Sequence, residues 1–231
     1  MDSVVWRLLA SSLFRSSSLI LPVRIAWLMI YNTSVDEISF LKVVFSITVA
    51  FFEIPTGIVA DLVSRKMSIA ISALLFSSHS LCYILFPNFW GFIGTQVLLG
   101  LSTTFLSGAD TAYLHSHLDT AGRDAYATIS GRMEFISKLV SAGFSLLSSI
   151  LFSLSQRTVF VVSAILGLIS FFIVLSLPDK QKTLVPMKDL QISHLKENFQ
   201  HGLKLFTQNS NIRNITLITA IVTSFLIFSF E

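Results

Sequence analysis

The chain has 231 residues, of which 53% are hydrophobic and 13% charged, with a formal net charge of +3. An ordinary soluble domain carries about 25% charged residues, so this balance excludes a water-soluble globule. The basic residues fall in segments flanking apolar runs rather than in one patch, which excludes a nucleic-acid partner.

A hydrocarbon core of roughly 30 Å takes about 20 apolar residues per helical crossing. Seven segments fit that length: about 8–30, 39–61, 67–87, 91–113, 127–153, 158–178 and 214–230. Strands with period-two alternation are lacking, which argues against a β-barrel, and helices satisfy every backbone group within lipid. The first segment follows Met1-Asp2-Ser3, without the basic leader of a cleaved signal, and exceeds such a signal in length, so it is expected to persist as a helix. It carries Arg15 and Arg24. The loop Asn32-Thr33-Ser34-Val35-Asp36-Glu37 is acidic and includes a glycosylation sequon. The second segment holds Glu53 and Pro55; a proline there removes a backbone hydrogen bond and predicts a kink that could act as a hinge. The third contains Cys82, a lone cysteine that allows no intrachain disulfide and no cysteine metal site. Asp110 lies near the end of the fourth. Arg132, Glu134 and Lys138 lie in the fifth, where the acid-first spacing of Glu134 and Lys138 predicts an intrahelical pair.

Pro178 and Pro186 bracket the exit from the sixth segment. Beyond them Ile192, Leu195, Phe199, Leu203 and Phe206 form one helical stripe, with His194, Glu197, His201 and Gln208 opposite. This is the pattern of an amphipathic helix, lying on a membrane surface or packed against the crossing ends. The organisation is therefore a six-helix bundle over 1–178, a linker with an amphipathic helix over 179–213, and a seventh crossing over 214–231.

Orientation follows from the basic residues. With the N-terminus inside, the inner segments carry Arg7, Arg65, Lys66, Arg123, Lys180, Lys182, Lys188, Lys196, Lys204 and Arg213, and the outer loops only Arg157. This bias predicts a multi-pass protein of the plasma (bacterial inner) membrane with a cytoplasmic N-terminus.

The stretch Glu53-Ile54-Pro55-Thr56-Gly57-Ile58-Val59-Ala60-Asp61-Leu62-Val63-Ser64-Arg65-Lys66 lies between the second and third crossings. Its spacing Gly-x-x-x-Asp-x-x-x-Arg-Lys resembles the signature loop of the major facilitator superfamily of secondary transporters. Leu62 and Ser64 depart from that pattern, which usually has a basic residue and glycine there. The resemblance implies an all-α polytopic helical bundle, the six-helix N-terminal half of a facilitator plus a seventh transmembrane helix, each half being built from inverted three-helix repeats. It assigns Gly57, Asp61, Arg65 and Lys66 to gating, with Asp61 and Arg65 in a charge network holding one end-state. Lacking a side chain, Gly57 would admit a close neighbouring helix. Gln96 before Gly100 stands where many proton-coupled members have arginine. Ser141-Ala142-Gly143-Phe144 is the nearest remnant of the drug antiporters' glycine-proline motif.

A charge inside a crossing costs at least about 2.5 kcal/mol at a helix centre, so each needs a partner, a wet cavity or a route to the interface. Arg15, Arg24, Glu53, Asp110, Arg132 and Glu134 are accordingly candidate substrate or coupling residues. Arg15 and Glu53 count to similar depths along their helices, roughly 10 and 12 Å, so they are expected to pair. Signatures of hydrolases, metalloproteases, phosphate loops and dinucleotide loops are lacking. No cofactor or metal is expected; His115, His117 and Asp119 read as a solvated turn. The function implied is secondary active transport of a small solute by alternating access, with export favoured over import. The expected partners are membrane lipid, the solute, and a C-terminal half or a second copy. The alternative is a non-transporting membrane binding or immunity protein of facilitator descent.

Overall fold

The computed structural model describes residues 3–15, 19–62, 64–118 and 123–179, and their side chains apart from those of Ile54, Ile58, Asp61, Leu62, Arg123, Asp124 and Ala125. The expected linker helix and seventh crossing lie outside the described residues, as does the side chain of Asp61. The described residues contain helices and turns and no strand. The helices are α1 (Ser3–Phe14), α2 (Arg24–Ile30), α3 (Val35–Leu62), α4 (Arg65–Leu85), α5 (Phe89–Leu106), α6 (Ala109–Leu118), α7 (Arg123–Leu154) and α8 (Thr158–Leu175). Four spans are long and apolar enough to cross a membrane by length and composition: α4, α5 with α6, α7 and α8. At 28 residues α3 is about 42 Å long, which also exceeds the hydrocarbon thickness, but it carries Asp36, Glu37, Lys42 and Glu53.

Two expected crossings are each built from two helices. The first breaks after α1, and a 3-10 turn at Leu21–Val23 leads into α2. Pro22 sits in that turn; it has no N–H to continue an α-helix. The fourth breaks between α5 and α6 at Gly108, whose φ of +74° is a conformation that glycine adopts without a steric penalty. In contrast, α3 continues through Pro55. There the Thr56 hydroxyl donates to the carbonyls of Phe52 at 2.7 Å and Glu53 at 3.3 Å, beside the Phe51 carbonyl that Pro55 cannot serve.

Local caps set the helix starts. Ser34 and Glu37 form a capping box at α3: the Ser34 backbone N–H donates to Glu37 Oε2 at 2.7 Å, and the Glu37 N–H to Ser34 Oγ at 3.3 Å. Ser64 caps α4 by accepting from the Met67 N–H at 3.4 Å, and Asn88 caps α5 by accepting from the Gly91 N–H at 2.9 Å.

α4 is the central helix, packed between α5 and α8 and touching α3 and α6. It presents small residues to both neighbours. Ser72 Oγ donates to the Ser102 carbonyl at 2.7 Å and Ser102 Oγ to the Ser72 carbonyl at 2.9 Å, clasping α4 to α5. Ser77 Oγ donates to the Ala164 carbonyl at 2.8 Å, tying α4 to α8. A β-carbon at Gly167 would lie 3.0–3.1 Å from Ser77 Cβ, Cα and N, and one at Gly100 would lie 2.8 Å from Thr48 Cγ2. These are the close approaches that small residues permit between membrane helices.

Buried side chains form two clusters. One joins Val5, Leu8, Ala60, Ile69, Tyr113, Leu114 and Val174 near the signature loop. The other is aromatic: Trp27 and Phe160 have ring centroids 4.7 Å apart, Tyr83 and Phe160 5.0 Å. Beside it His79 Nδ1 hydrogen-bonds the Thr95 carbonyl at 2.9 Å, and Gln96 Nε2 donates to the Tyr83 hydroxyl at 3.2 Å. Many large apolar side chains face outward. α7 in particular exposes Phe135, Leu139, Leu146, Ile150 and Leu154.

Candidate functional site

Two cavities flank the short helix α6. The larger, about 380 Å³, is bounded by α1, α6 and α7 and lined by Arg15, Asp110 and Glu134, by hydroxyls including Ser12, Thr111, Tyr126, Ser130 and Ser137, and by apolar residues such as Leu106 and Met133. The smaller, about 130 Å³, is lined by Gly57, Ala60, Arg65, Ser107, Gly108, Ala109 and Ala112. Signature-loop residues and candidate solute residues thus meet on two sides of one ten-residue helix.

Arg15 follows directly after α1 and is 7% exposed. Its backbone N–H donates to the Ser11 carbonyl at 3.1 Å, while its side-chain Nη1 is buried without a hydrogen-bond partner. The expected Arg15–Glu53 pair does not form. Glu53 instead accepts a hydrogen bond from Ser107 Oγ at 2.7 Å, at the α5–α6 break. Both depth counts run along unbroken helix, Leu8 to Arg15 on α1 and Glu53 to Asp61 on α3, so similar depth alone did not bring the two side chains together: Arg15 lines the cavity beside α6 and α7, while Glu53 reaches Ser107. Asp110 is half-buried in the first turn of α6 and accepts from the Thr111 N–H at 2.7 Å. Glu134 pairs with Lys138 at 3.3 Å across one turn of α7.

Arg24 opens α2 and is half-buried next to Val23 of the aromatic cluster, away from the residues lining the larger cavity. Arg132 is exposed and also outside that lining. Pro55 lies within α3, so the described helix is not divided at the proposed hinge.

Within the signature loop, Arg65 Nη1 donates to the Ala112 carbonyl of α6 at 3.0 Å. Ser64 Oγ donates to Asp179 Oδ2 at 3.0 Å, and Ser68 Oγ to the Phe105 carbonyl at 2.6 Å. Lys66 is half-buried at the start of α4. The close helix approach expected at Gly57 is not found: a β-carbon there would have no atom within 4 Å. Gly57 faces the smaller cavity instead, and the tight contacts belong to Gly100 and Gly167. Nearby ties reach the end of α8: Tyr113 Oη donates to the Pro178 carbonyl at 2.8 Å and Arg7 Nη1 to the Ser176 carbonyl at 3.1 Å.

His115 packs its ring on Tyr126, centroids 5.3 Å apart. Among the described residues, no group of three His, Cys, Asp or Glu side chains is placed to hold a metal.

Sequence reasoning missed the hydroxyl side of the larger cavity. A signal was present: Tyr126, Ser130, Glu134 and Ser137 recur at spacings of 4, 4 and 3, the spacing of one helical face. Ser107 and the Ala112 carbonyl had no such signal, because their role comes from the Gly108 break.

Comparison with known proteins agrees with this architecture. The model of the Major Facilitator Superfamily matches residues 8–231. An uncharacterized MFS-type transporter of Methanocaldococcus jannaschii is 27% identical over 135 residues, which is 58% of this chain and 33% of that protein.

Proposed function

The chain belongs to the Major Facilitator Superfamily, and from that premise we propose that it carries a small solute across a membrane by alternating access. The observation that carries this reading is the larger cavity. A buried arginine, the half-buried Asp110 and a set of hydroxyls surround about 380 Å³ of space, with the exposed Glu134 at its edge, and an arginine buried at that cost inside a membrane protein marks a solute or ion pathway. Arg15 and Asp110 are the residues assigned to the solute. Glu53 and Arg65 are assigned to the gate, acting through the start of α6 and the turn before it, and Asp61 joins them by the role the signature loop implies.

Export is the favoured direction. The test is a metabolite profile of cells producing the wild type or Asp110→Asn. Wild type should deplete one intracellular small solute severalfold relative to the variant at equal membrane abundance. Identical profiles would remove the transport reading.

The location proposed is the plasma membrane with a cytoplasmic N-terminus, supported by the basic bias. Single cysteines at Ser64 and Arg157 on a Cys82→Ser background test it. Impermeant maleimide added to intact cells should label position 157 and spare position 64; the reverse pattern would invert the topology.

The chain spans about a third of the length of the curated relative it matches. Facilitators place the solute site between two helical halves. Flux therefore requires a second half, supplied by further polypeptide or by self-association, and purified chain without one should show no saturable uptake in proteoliposomes.

A further inference from the structure

We infer that Arg15 anchors a compact monovalent oxyanion, so that the solute taken into the larger cavity carries a carboxylate or phosphodiester group. This rests on the reading of that cavity as a solute site. A guanidinium that is 7% exposed, with Nη1 buried and unpartnered, is an incomplete arrangement: a buried charge is stable when it is both paired and hydrogen-bonded. The cavity's own acids do not complete it. Asp110 acts on Arg15 through its charge but from beyond ion-pair distance, one of its oxygens accepting from the Thr111 N–H at 2.7 Å, and Glu134 pairs with Lys138 at 3.3 Å on the exposed side of α7. Among the described residues neither acid is an ion-pair partner of Arg15.

The missing group is therefore supplied from the cavity. The planar guanidinium fork matches the two oxygens of a carboxylate or phosphate better than any single acceptor. Tyr126 and Ser137 line the same space and bring O–H donors for the outer oxygens. The volume of about 380 Å³ falls in the range of small-ligand pockets. Asp110 sets the charge limit: a second negative charge on the ligand would face it, so a monoanion is preferred over a dianion. A zwitterion with its cation toward Asp110 satisfies the same rule.

The probe is lactate, set against its neutral isostere lactamide. The full chain in uncharged detergent is melted while a thiol-reactive dye follows exposure of Cys82. Millimolar lactate should raise the melting midpoint by a few degrees, and lactamide should not. Arg15→Gln should abolish the lactate shift, Arg15→Lys should keep a smaller one because it retains charge but not the fork, and Arg24→Gln should leave it intact. Equal shifts from lactate and lactamide overturn the proposal on the wild type alone, whatever the variants do; so does the absence of any lactate shift. Phosphatidylglycerol added to the detergent separates the two sources of the anion. A shift from that lipid and not from lactate, lost in Arg15→Gln, keeps the oxyanion anchor, assigns it to a headgroup and overturns the solute class. A lactate shift in a protein whose metabolite profile ignores Asp110→Asn keeps the anchor and defeats transport. Severalfold export of an uncharged solute does the opposite.

Discussion

Arg65→Ala lowers solute flux by roughly tenfold or more in the transport-competent assembly, with insertion and folding intact. The Arg65 guanidinium donates to the Ala112 carbonyl in α6 at 3.0 Å. A hydrogen bond from a charged donor contributes about 1.5–3 kcal/mol. If the bond exists in one end-state of the cycle and not in the other, its loss shifts that equilibrium by roughly 10- to 100-fold, at about 1.4 kcal/mol per decade. Folding is buffered because α4 keeps its Ser64 cap and its bonds to α5 and α8. Arg65→Lys keeps a positive charge but cannot reproduce the guanidinium's reach, so it recovers part of the flux. Asp61→Asn should also impair flux, by the role the signature loop implies. Initial rates of counterflow at matched protein density are the measurement. Normal rates in both Arg65→Ala and Asp61→Asn would reduce the loop to a signal for topology.

Gly167→Leu has the larger effect on stability. At this crossing of α8 with α4, a single β-carbon already lies 3.0–3.1 Å from the backbone and Cβ of Ser77. A leucine cannot be accommodated by moving a flexible side-chain tip, because the obstruction is the facing helix itself. The helices must separate, and the Ser77–Ala164 hydrogen bond at 2.8 Å is lost with the contact. Overpacking of this kind costs about 1–3 kcal/mol, so the melting midpoint should fall by roughly 5 °C, with aggregation visible by size exclusion. Gly57→Leu serves as the control, since a β-carbon there has no atom within 4 Å. Equal melting of Gly167→Leu and wild type would show that α8 does not bear on α4 as described.

The long apolar runs made the crossings legible, because the length needed to span hydrocarbon is a property of composition averaged over many residues. Continuity is decided by single residues, and it was less legible. Pro22 accompanies a break and Pro55 does not, although both sit in apolar runs. Pro22 stands at the start of a 3-10 turn and Pro55 in the interior of a 28-residue helix, a difference in position that composition does not show. The Arg15–Glu53 pairing failed for a different reason: depth along two helices does not fix which neighbour each side chain faces, and Glu53 faces Ser107 instead. The Glu134–Lys138 pair was legible because one turn of one helix fixes it. The cavity required three helices to be placed, although the polar stripe on α7 was already written in the spacing.

The serine bonds between helices have a consequence for inheritance. Ser68, Ser72, Ser77 and Ser170 each donate to a backbone carbonyl on another helix, of Phe105, Ser102, Ala164 and Ser11 respectively. A carbonyl is present whatever residue occupies the accepting position. Apart from the reciprocal Ser72–Ser102 clasp, each contact therefore constrains one partner and leaves the other free to drift, provided its side chain stays small enough for the approach. Diverging relatives can keep these contacts without compensating pairs of substitutions, so a bundle fastened in this way can lose most of its sequence identity while its helices stay in register.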